Sequence, residues 1–247
     1  MNRLPDPEIL TAARHNRLLS GLRQQELSGL LDGGSLVKLK HHQLLYRADT
    51  AIQAVYFPLN CVVSILVEAE EAPAQTGEMN AVEIATVGNE GVVGVGAVLS
   101  VSRSLGRTIV QVGGAAIKVT AKKATALLCE MPETSRIVHQ YIYAFVRQIA
   151  QAGLCHSRHT AEERCARWLL MTHDRAGTDE FVLTQDFLAA MMAARRPTVN
   201  LAIAVLRKAG AIEYTYRKLK VLDRHLLESF SCPCYQVIRK AFDFAQD

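Results

Sequence analysis

The sequence predicts an α+β protein in which a strand-rich N-terminal region is followed by a helical C-terminal region. Short alternating or β-branched runs, such as Ala54–Phe57, are separated by turn residues over 35–120, which favours a barrel or a jelly-roll-like sandwich. From residue 131 onward, apolar residues recur at spacings of three and four, as they do in amphipathic helices. A pair of short helices and a basic hairpin are then predicted over residues 183–220.

The composition is that of a globular protein. Of the 247 residues, 49% are hydrophobic and 21% are charged, so disorder is not expected. No apolar run approaches the roughly 20 residues that a membrane-spanning helix needs. The N-terminus is too broken by charge and proline to resemble a signal peptide. We therefore expect a cytoplasmic protein with no membrane association.

Six cysteines are spread along the chain, and no two of them form a Cys-x-x-Cys pair. Cys232 and Cys234 are separated by one residue, closer than in a typical two-ligand metal knuckle, and no histidine cluster flanks them. We therefore favour reduced, structural thiols over a metal site or an iron–sulfur cluster. The cysteines are Cys61, Cys129, Cys155, Cys165, Cys232 and Cys234.

Two helices joined by a tight turn are predicted after Leu183. Thr184 can cap the first helix. Pro197 is tolerated in the first turn of the second helix, because its missing N–H would have no helical partner there. Gly210 then ends the second helix. The apolar spacing predicts the inward face of the second helix, which consists of Val199, Ala202, Ile203 and Leu206.

The outward face of the second helix carries Arg196, Asn200 and Arg207, side chains that can read guanine and adenine in a major groove. A surface helix with ordinary solvated charges is the alternative interpretation. Residues 195–224 contain eight basic and two acidic residues, a local net charge of +6, whereas the whole chain carries +4. This concentration of positive charge favours binding to phosphate.

The segment Thr184–Ile212 resembles, without gaps, the winged helix-turn-helix of the Crp/Fnr family of bacterial transcription regulators. Residues 195–199 occupy the motif that opens the second helix in that family, but Pro197 replaces its base-reading Glu and Leu201 replaces a later Arg. The resemblance therefore implies the family's docking mode with a different half-site. The residues expected to contact DNA are Thr184, Gln185, Arg195, Arg196, Thr198, Asn200, Arg207, Arg217 and Lys218.

Residues 1–130 resemble the β-roll sensor domain of the same family. Members that bind a cyclic nucleotide present Gly-Glu-Leu and later Arg-Ser or Arg-Thr, which hold the ribose and the phosphate. Here Arg107 and Thr108 match, but Glu90 precedes Gly91 instead of following it. A cyclic nucleotide, another small effector and a pocket without a ligand all remain open. The residues assigned to this effector site are Glu90, Gly91, Val92, Arg107 and Thr108.

A long helix is predicted over residues 131–159, with a narrow apolar stripe that suits a coiled-coil contact. The resemblance implies a dimer contact, because the family places its dimer helix between the sensor and the DNA-binding domain. Packing of the same residues on the chain's own β-roll is the alternative. Residues 160–247 would form the winged helix-turn-helix domain with a C-terminal extension. The stripe consists of Val138, Ile142, Phe145, Ile149 and Ala152.

These expectations together describe a homodimeric, sequence-specific transcription regulator whose sensor domain modulates DNA binding. Its partners would be a pseudo-palindromic site on double-stranded DNA and, as in the family, RNA polymerase. The alternative is a nucleotide- or small-molecule-binding module with secondary DNA affinity. An enzyme is not expected, since the sequence has no nucleophile–base arrangement, zinc-protease motif or Walker loop. No cofactor is assigned beyond the cyclic-nucleotide alternative.

Overall fold

The computed structural model describes residues 5–68, 81–130 and 132–243, and the chain divides into two compact units. The first unit comprises Met1–Ile65, Thr86–Val146 and Phe242–Asp247, and the second comprises Leu66–Ala85 and Arg147–Ala241. Each unit buries its own set of apolar side chains. The division falls within one long helix, after Val146.

The first unit opens with three short helices, α1 (Pro7–Ala13), α2 (Arg17–Ser20) and α3 (Gln24–Leu31). Asn16 caps α2 and is fully buried. Its side-chain amide donates hydrogen bonds of 2.9 Å to the carbonyl oxygens of Pro58 and Gly91. These bonds fix the N-terminal helices on the strand-rich part of the unit, because a buried amide without partners would be costly.

The strands that follow are β1 (Ser35–Leu39), β2 (Leu44–Tyr46), β3 (Ala54–Pro58), β4 (Val62–Glu68), β5 (Ala81–Val87), β6 (Arg107–Val112) and β7 (Gly114–Thr120). They form two sheets with the strand orders β1-β7-β3 and β2-β6-β4-β5. In the first sheet, Leu36 and Phe57 both lie opposite Ile117 in antiparallel register. Phe57 and Ile117 are fully buried, as are Val63 and Val110 of the second sheet. The β-roll predicted from the alternating runs is confirmed.

Three further helices belong to this part of the chain: α4 (Val95–Val98), α5 (Ala121–Glu130) and α6 (Pro132–Arg158). α6 has 27 residues and is about 40 Å long at the usual helical rise. Tyr141, in its N-terminal half, is fully buried in the first unit, and its hydroxyl donates to the Val92 carbonyl oxygen at 3.0 Å. The predicted long helix is thus confirmed.

The second unit contains α7 (Ala161–Ala176), β8 (Glu180–Val182), α8 (Gln185–Met191), α9 (Arg196–Lys208), β9 (Ile212–Thr215), β10 (Lys218–Val221), α10 (Arg224–Phe230) and α11 (Cys234–Ala241). A capping box formed by Thr160 and Glu163 starts α7. Trp168 of α7 is buried, and its indole N–H donates to Glu83 Oε1 at 2.9 Å. The strands form one small sheet in the order β8-β10-β9. This is a winged helix-turn-helix.

The C-terminal helices pack on α7 through a polar network. Arg224 forms an ion pair of 2.7 Å with Asp174 and donates to His173 Nδ1 at 2.7 Å. The Tyr235 hydroxyl donates to the same Asp174 at 2.8 Å. The tail is therefore part of the folded unit. None of the helices in the described ranges combines the length and the apolar character needed to cross a membrane.

Candidate nucleic-acid interface

The turn between α8 and α9 sets the position of the second helix. The Thr184 hydroxyl caps α8 by accepting a hydrogen bond from the Phe187 N–H at 3.2 Å, and Gln185 begins the helix. Ala193 adopts a left-handed conformation with φ of 48°, which turns the chain after α8. Arg195 is then extended and stands at the N-cap of α9. These local conformations start α9 at Arg196.

α9 is divided into an inner and an outer face. The inner face predicted from the apolar spacing is confirmed, because Val199, Ala202, Ile203 and Leu206 are the buried residues of the helix. The outer side carries exposed polar residues along its edges and apolar ones along its centre, where Leu201 is 66% exposed. The exposed polar residues include Arg196, Thr198, Asn200 and Arg207.

Part of the local positive charge is already paired within the unit. Arg196 lies 3.3 Å from Asp186, and both side chains are exposed. Arg224 takes part in the network with Asp174 and is half-buried. For Arg195, Arg207, Lys208 and Arg217 no ion pair is found within the described ranges. These four exposed cations are the ones best placed by charge to meet phosphate.

The wing is the hairpin of β9 and β10. Tyr216 and Arg217 form its tip in left-handed conformations, with φ of 47° and 71°, and Tyr216 is fully exposed. Lys218, one of the residues expected to contact DNA, is the first residue of β10 and forms an ion pair of 2.8 Å with Glu180. The Lys218 hydrogen bond and charge lower the pKa of the Glu180 carboxyl. Arg217 therefore lies in the turn and is exposed, whereas the charge of Lys218 is paired with Glu180.

The predicted effector residues lie in the loop after β5 and at the start of β6, and most are buried. Glu90 is 4% exposed, and both its carboxylate oxygens accept from the Gly88 N–H at 3.2 Å. Thr108 is 2% exposed and donates to the Gly106 carbonyl oxygen at 3.2 Å. Arg107 is half-buried. Glu90 and Thr108 therefore satisfy their hydrogen bonds inside the protein, and an effector role for these residues stays a prediction.

Tyr141 of α6 covers this loop. A Cβ atom built on Gly91 would lie 2.1 Å from Tyr141 Cε2, so the ring occupies the space of any larger residue at that position. The Tyr141 hydroxyl holds the next residue, Val92, which is 1% exposed. Burial also raises the pKa of the Tyr46 hydroxyl, which lies under the same loop and donates to the Ala54 carbonyl oxygen. The loop is thus a packing element of the first unit.

The apolar stripe predicted for dimerisation is largely buried in the folded chain. Val138 and Phe145 are each 3% exposed, and Ala152 is 7% exposed. Ile142 and Ile149 are half-buried. A different set of apolar side chains on α6 faces solvent, namely Tyr143, Val146 and Leu154, which are 65%, 55% and 49% exposed. These three residues differ from the predicted stripe, whose role in dimerisation stays a prediction.

Four side chains of types that can bind a metal ion lie close together in the second unit. They were not grouped from the sequence alone. Cys155, His159, Cys232 and Cys234 place one ligand atom each within 4.8 Å of one another. A hydrogen bond from the Cys232 thiol and the nearby Arg167 guanidinium lower the pKa of the Cys155 thiol. The spacing of Cys155 and His159, one helical turn, was the available signal. Its partners lie more than 70 residues further along the chain.

The comparisons with known proteins agree with this geometry. Residues 163–230 match the family model described as a Crp-like helix-turn-helix domain. No curated protein matches the sequence of the chain. Among solved structures, a crp/fnr-family transcriptional regulator from Eubacterium rectale is similar, with a TM-score of 0.64, 10% identity, and coverage of 88% of this chain and 98% of that one.

Two further structures are similar over most of their length. FixK2 from Bradyrhizobium japonicum has a TM-score of 0.64 and 16% identity, covering 81% of this chain and 98% of its own. The CRP/FNR-family regulator TTHA1359 from Thermus thermophilus has a TM-score of 0.59 and 20% identity, covering 80% of this chain and 98% of its own. At these identities the likeness shows the fold, whereas the match over residues 163–230 identifies the helix-turn-helix.

Proposed function

We propose that the chain is a DNA-binding transcription regulator of the Crp/Fnr type with a sensor domain, and that it acts as a homodimer that recognises a pseudo-palindromic site through two copies of α9. The observation that supports this proposal is that α9 has one buried face and one exposed face. Four buried residues hold the helix in place, and its outer side is left exposed with Arg196 and Asn200 on one edge. A helix held in this way can enter a major groove.

Base recognition is assigned to the outer side of α9. Arg196 can form two hydrogen bonds to guanine, and Asn200 can form two to adenine. Between these donors and the opposite edge, Pro197 and Leu201 are exposed. An apolar side chain in the major groove contacts the methyl group of thymine. We therefore assign Leu201 to a thymine in each half-site.

Phosphate contact is assigned to the exposed cations around α9. Arg195 precedes the helix, Arg207 and Lys208 lie in its last turn, and Arg217 is at the tip of the wing. Each such contact releases counterions from DNA, so the affinity should fall steeply with salt. Thr184 and Gln185, at the N-terminus of α8, are assigned to the phosphate backbone beside the groove.

Dimerisation is assigned to the exposed apolar side chains of α6. Tyr143 and Val146 are three residues apart, and Leu154 follows eight residues after Val146, so spacings of three and four place them along one side of the helix. Exposed side chains of this size are typical of a protein interface when they are contiguous. Two chains joined there would present recognition helices to half-sites about 34 Å apart.

Within this proposal the chain has no catalytic role. Binding to a promoter would bring it into contact with RNA polymerase in the cytoplasm, and the sensor domain would modulate that binding. The loop over 88–96 is assigned to internal packing, because Tyr141 covers it and Glu90 is turned into it. Transcription from a template carrying the selected site, with purified polymerase, distinguishes activation from repression.

Selection of bound duplexes from a random pool tests the proposal. The full-length protein should enrich a site with two inverted half-sites, and its affinity for that site should fall about tenfold or more between 50 and 200 mM salt. Arg217→Ala should reduce the salt dependence, whereas Lys38→Ala, which removes the same charge from an exposed position on β1, should not. Failure to retain any duplex at low salt would refute DNA recognition.

The same protein tests the dimer contact. In sedimentation experiments the wild type should be dimeric, and Val146→Asp should shift it toward the monomer by placing two like charges in the interface. Val101→Asp, at a valine that is 61% exposed outside α6, serves as the charge control and should leave the dimer intact. A wild-type monomer at all concentrations would exclude the homodimer while leaving the recognition helix untested by that experiment.

A further inference from the structure

The cluster of Cys155, His159, Cys232 and Cys234 is built from two separate segments of the second unit. Cys155 lies in the last turn of α6 and His159 just beyond its end, one helical turn apart. Cys232 lies between α10 and α11, and Cys234 is the first residue of α11, with Pro233 between the two cysteines. The Sγ atoms of Cys155 and Cys232 are 3.5 Å apart, and Cys234 Sγ lies 3.5 Å from His159 Nδ1.

We propose that these four residues bind one zinc ion in a closed, structural site. Three thiolates and one imidazole are a ligand set of tetrahedral zinc proteins. With Zn–S bonds of about 2.3 Å, tetrahedral geometry places neighbouring sulfur atoms about 3.8 Å apart. The four ligand atoms, all within 4.8 Å of one another, match that spacing. Every position around the ion would be filled by the protein, which is typical of a structural rather than a catalytic site.

The distances between the four ligand atoms also distinguish a site for a single metal ion from a disulfide and from an iron–sulfur cluster. A disulfide joins its sulfur atoms at about 2.0 Å, and it would use only two of the four groups. An iron–sulfur cluster places several iron and sulfide atoms among its thiolates, so it needs ligand atoms that lie further apart. The convergence of all four ligand atoms on one point is explained by one metal ion.

A positive charge lies beside the cluster, where it can balance the negative charge of a zinc–thiolate centre. Zn²⁺ with three thiolates and a neutral imidazole carries a net charge of −1. The Arg167 guanidinium lies beside Cys155, is 5% exposed, and forms no ion pair with a carboxylate of the described residues. Its Nε atom is buried without a hydrogen-bond partner among those residues. A buried guanidinium in this state is stabilised by a neighbouring anion.

A second neighbour donates directly to a sulfur atom. The Gln151 side-chain N–H lies 3.1 Å from Cys234 Sγ. Donors of this kind orient metal ligands and tune their charge, and their removal commonly weakens metal binding by about 10–100-fold. Cys61 and Cys165 are not members of the cluster, and burial raises the pKa of each thiol to about 12. They provide matched controls.

Metal analysis of the full-length protein tests the site. After incubation with zinc and dialysis, the wild type should retain one zinc per chain, and Cys234→Ser and His159→Gln should each lose most of it. Cys165→Ala and His156→Gln should retain it. Circular dichroism of each variant identifies any that fails to fold. Gln151→Leu should weaken zinc binding by about tenfold in competition with a chelator.

Co²⁺ bound by thiolates has a visible absorption spectrum, which thiols that only pack in the protein interior would not produce. The wild type loaded with Co²⁺ should show the visible bands of a tetrahedral centre and a strong thiolate-to-cobalt transition. Cys232→Ser should lose most of that transition, as Cys234→Ser loses most of its zinc, whereas Cys165→Ala should keep it. Retention of no metal by the folded wild type, a Cys155–Cys232 disulfide without metal, or iron with acid-labile sulfide would each overturn the proposal. None of these outcomes depends on DNA binding.

Discussion

The recognition helix α9 and the loop after β5 carry the two binding sites predicted from sequence, and they differ in what they expose. On α9, Arg196 and Asn200 face solvent, as the spacing of the apolar residues indicated. In the loop, Glu90 and Val92 are both buried although the local sequence is rich in glycine. In a helix, the spacing of the apolar residues predicts the buried face, and the exposed face is then the opposite side of the same helix. A loop has no such internal rule.

The residue that decides the loop's role is far away in sequence. Tyr141 packs on Gly91 and binds the carbonyl of Val92 from 49 residues further along the chain. Gly91, which was assigned to the effector site, allows close approach of an aromatic ring. A glycine-rich loop therefore indicates that another group packs closely on its backbone. Only the tertiary structure shows whether that group is a ligand or a side chain of the protein.

The largest expected effect in this comparison is at Gly91. Gly91→Ala would force a Cβ to within 2.1 Å of the Tyr141 ring, and we expect the free energy of unfolding to fall by about 3 kcal/mol, as in an overpacked core. Gly153→Ala is the control, since a Cβ there meets nothing within 4 Å and an alanine on α6 should add about 0.5–1 kcal/mol. Calorimetric unfolding of both variants measures the contrast.

The double variant Gly91→Ala with Tyr141→Ala sharpens that result. If the two residues are in contact, the combined loss should be smaller than the sum of the two single losses. Additive losses, or a silent Gly91→Ala, would mean that the ring does not cover the loop. An open effector site at Glu90 would then be the better interpretation.

The next largest effect is at Arg196 on the recognition helix. Arg196→Ala should weaken binding to the selected site by about 1–3 kcal/mol and relax the preference at one base pair. Lys38→Ala, on β1 in the sensor, removes one positive charge without touching α9 and should leave the preference unchanged. Fluorescence anisotropy with variant duplexes measures both. An unchanged site preference in Arg196→Ala would show that the recognition face has been assigned to the wrong edge of α9.

Local signals predicted much of the fold. The run Ala54–Phe57 became β3, which ends one residue later, and the inner face of α9 agrees with its apolar spacing. Strand β2, only three residues long, has too few residues to show an alternating pattern. Helix α4 is a four-residue turn within a glycine-rich loop, where its apolar side chains resemble another strand.

The candidate binding sites were predictable only where their residues lie close together in the sequence. His159 follows Cys155 by one helical turn, which is a visible signal, but its meaning depends on Cys232 and Cys234. Those residues approach only when the tail folds back on α7 through contacts such as Tyr235 with Asp174. No periodic pattern in the sequence predicts that the C-terminal segment folds back on α7, so the cysteines were interpreted separately.

A smaller effect is expected at Leu201, at the centre of the outer side of α9. Replacing the contacted thymine by uracil removes one methyl group and should weaken wild-type binding by about 0.8 kcal/mol. Leu201→Ala should bind the thymine and uracil duplexes almost equally, because the side chain that contacts the methyl group is gone. Equal binding of both duplexes by the wild type, at every thymine of the half-site, would remove Leu201 from base recognition.

The smallest effect concerns cyclic nucleotides, for which we expect none at the loop. A ligand present at 100 times its dissociation constant raises the free energy of unfolding by about 2.7 kcal/mol. Cyclic AMP and cyclic GMP should leave the thermal unfolding of the wild type unchanged, because Glu90 and Thr108 are buried and already hydrogen-bonded. Stabilisation that saturates and is lost in Arg107→Ala would contradict this expectation. It would show that α6 moves Tyr141 aside to admit the ligand, and the contrast between the exposed helix and the buried loop would then describe only one of two states.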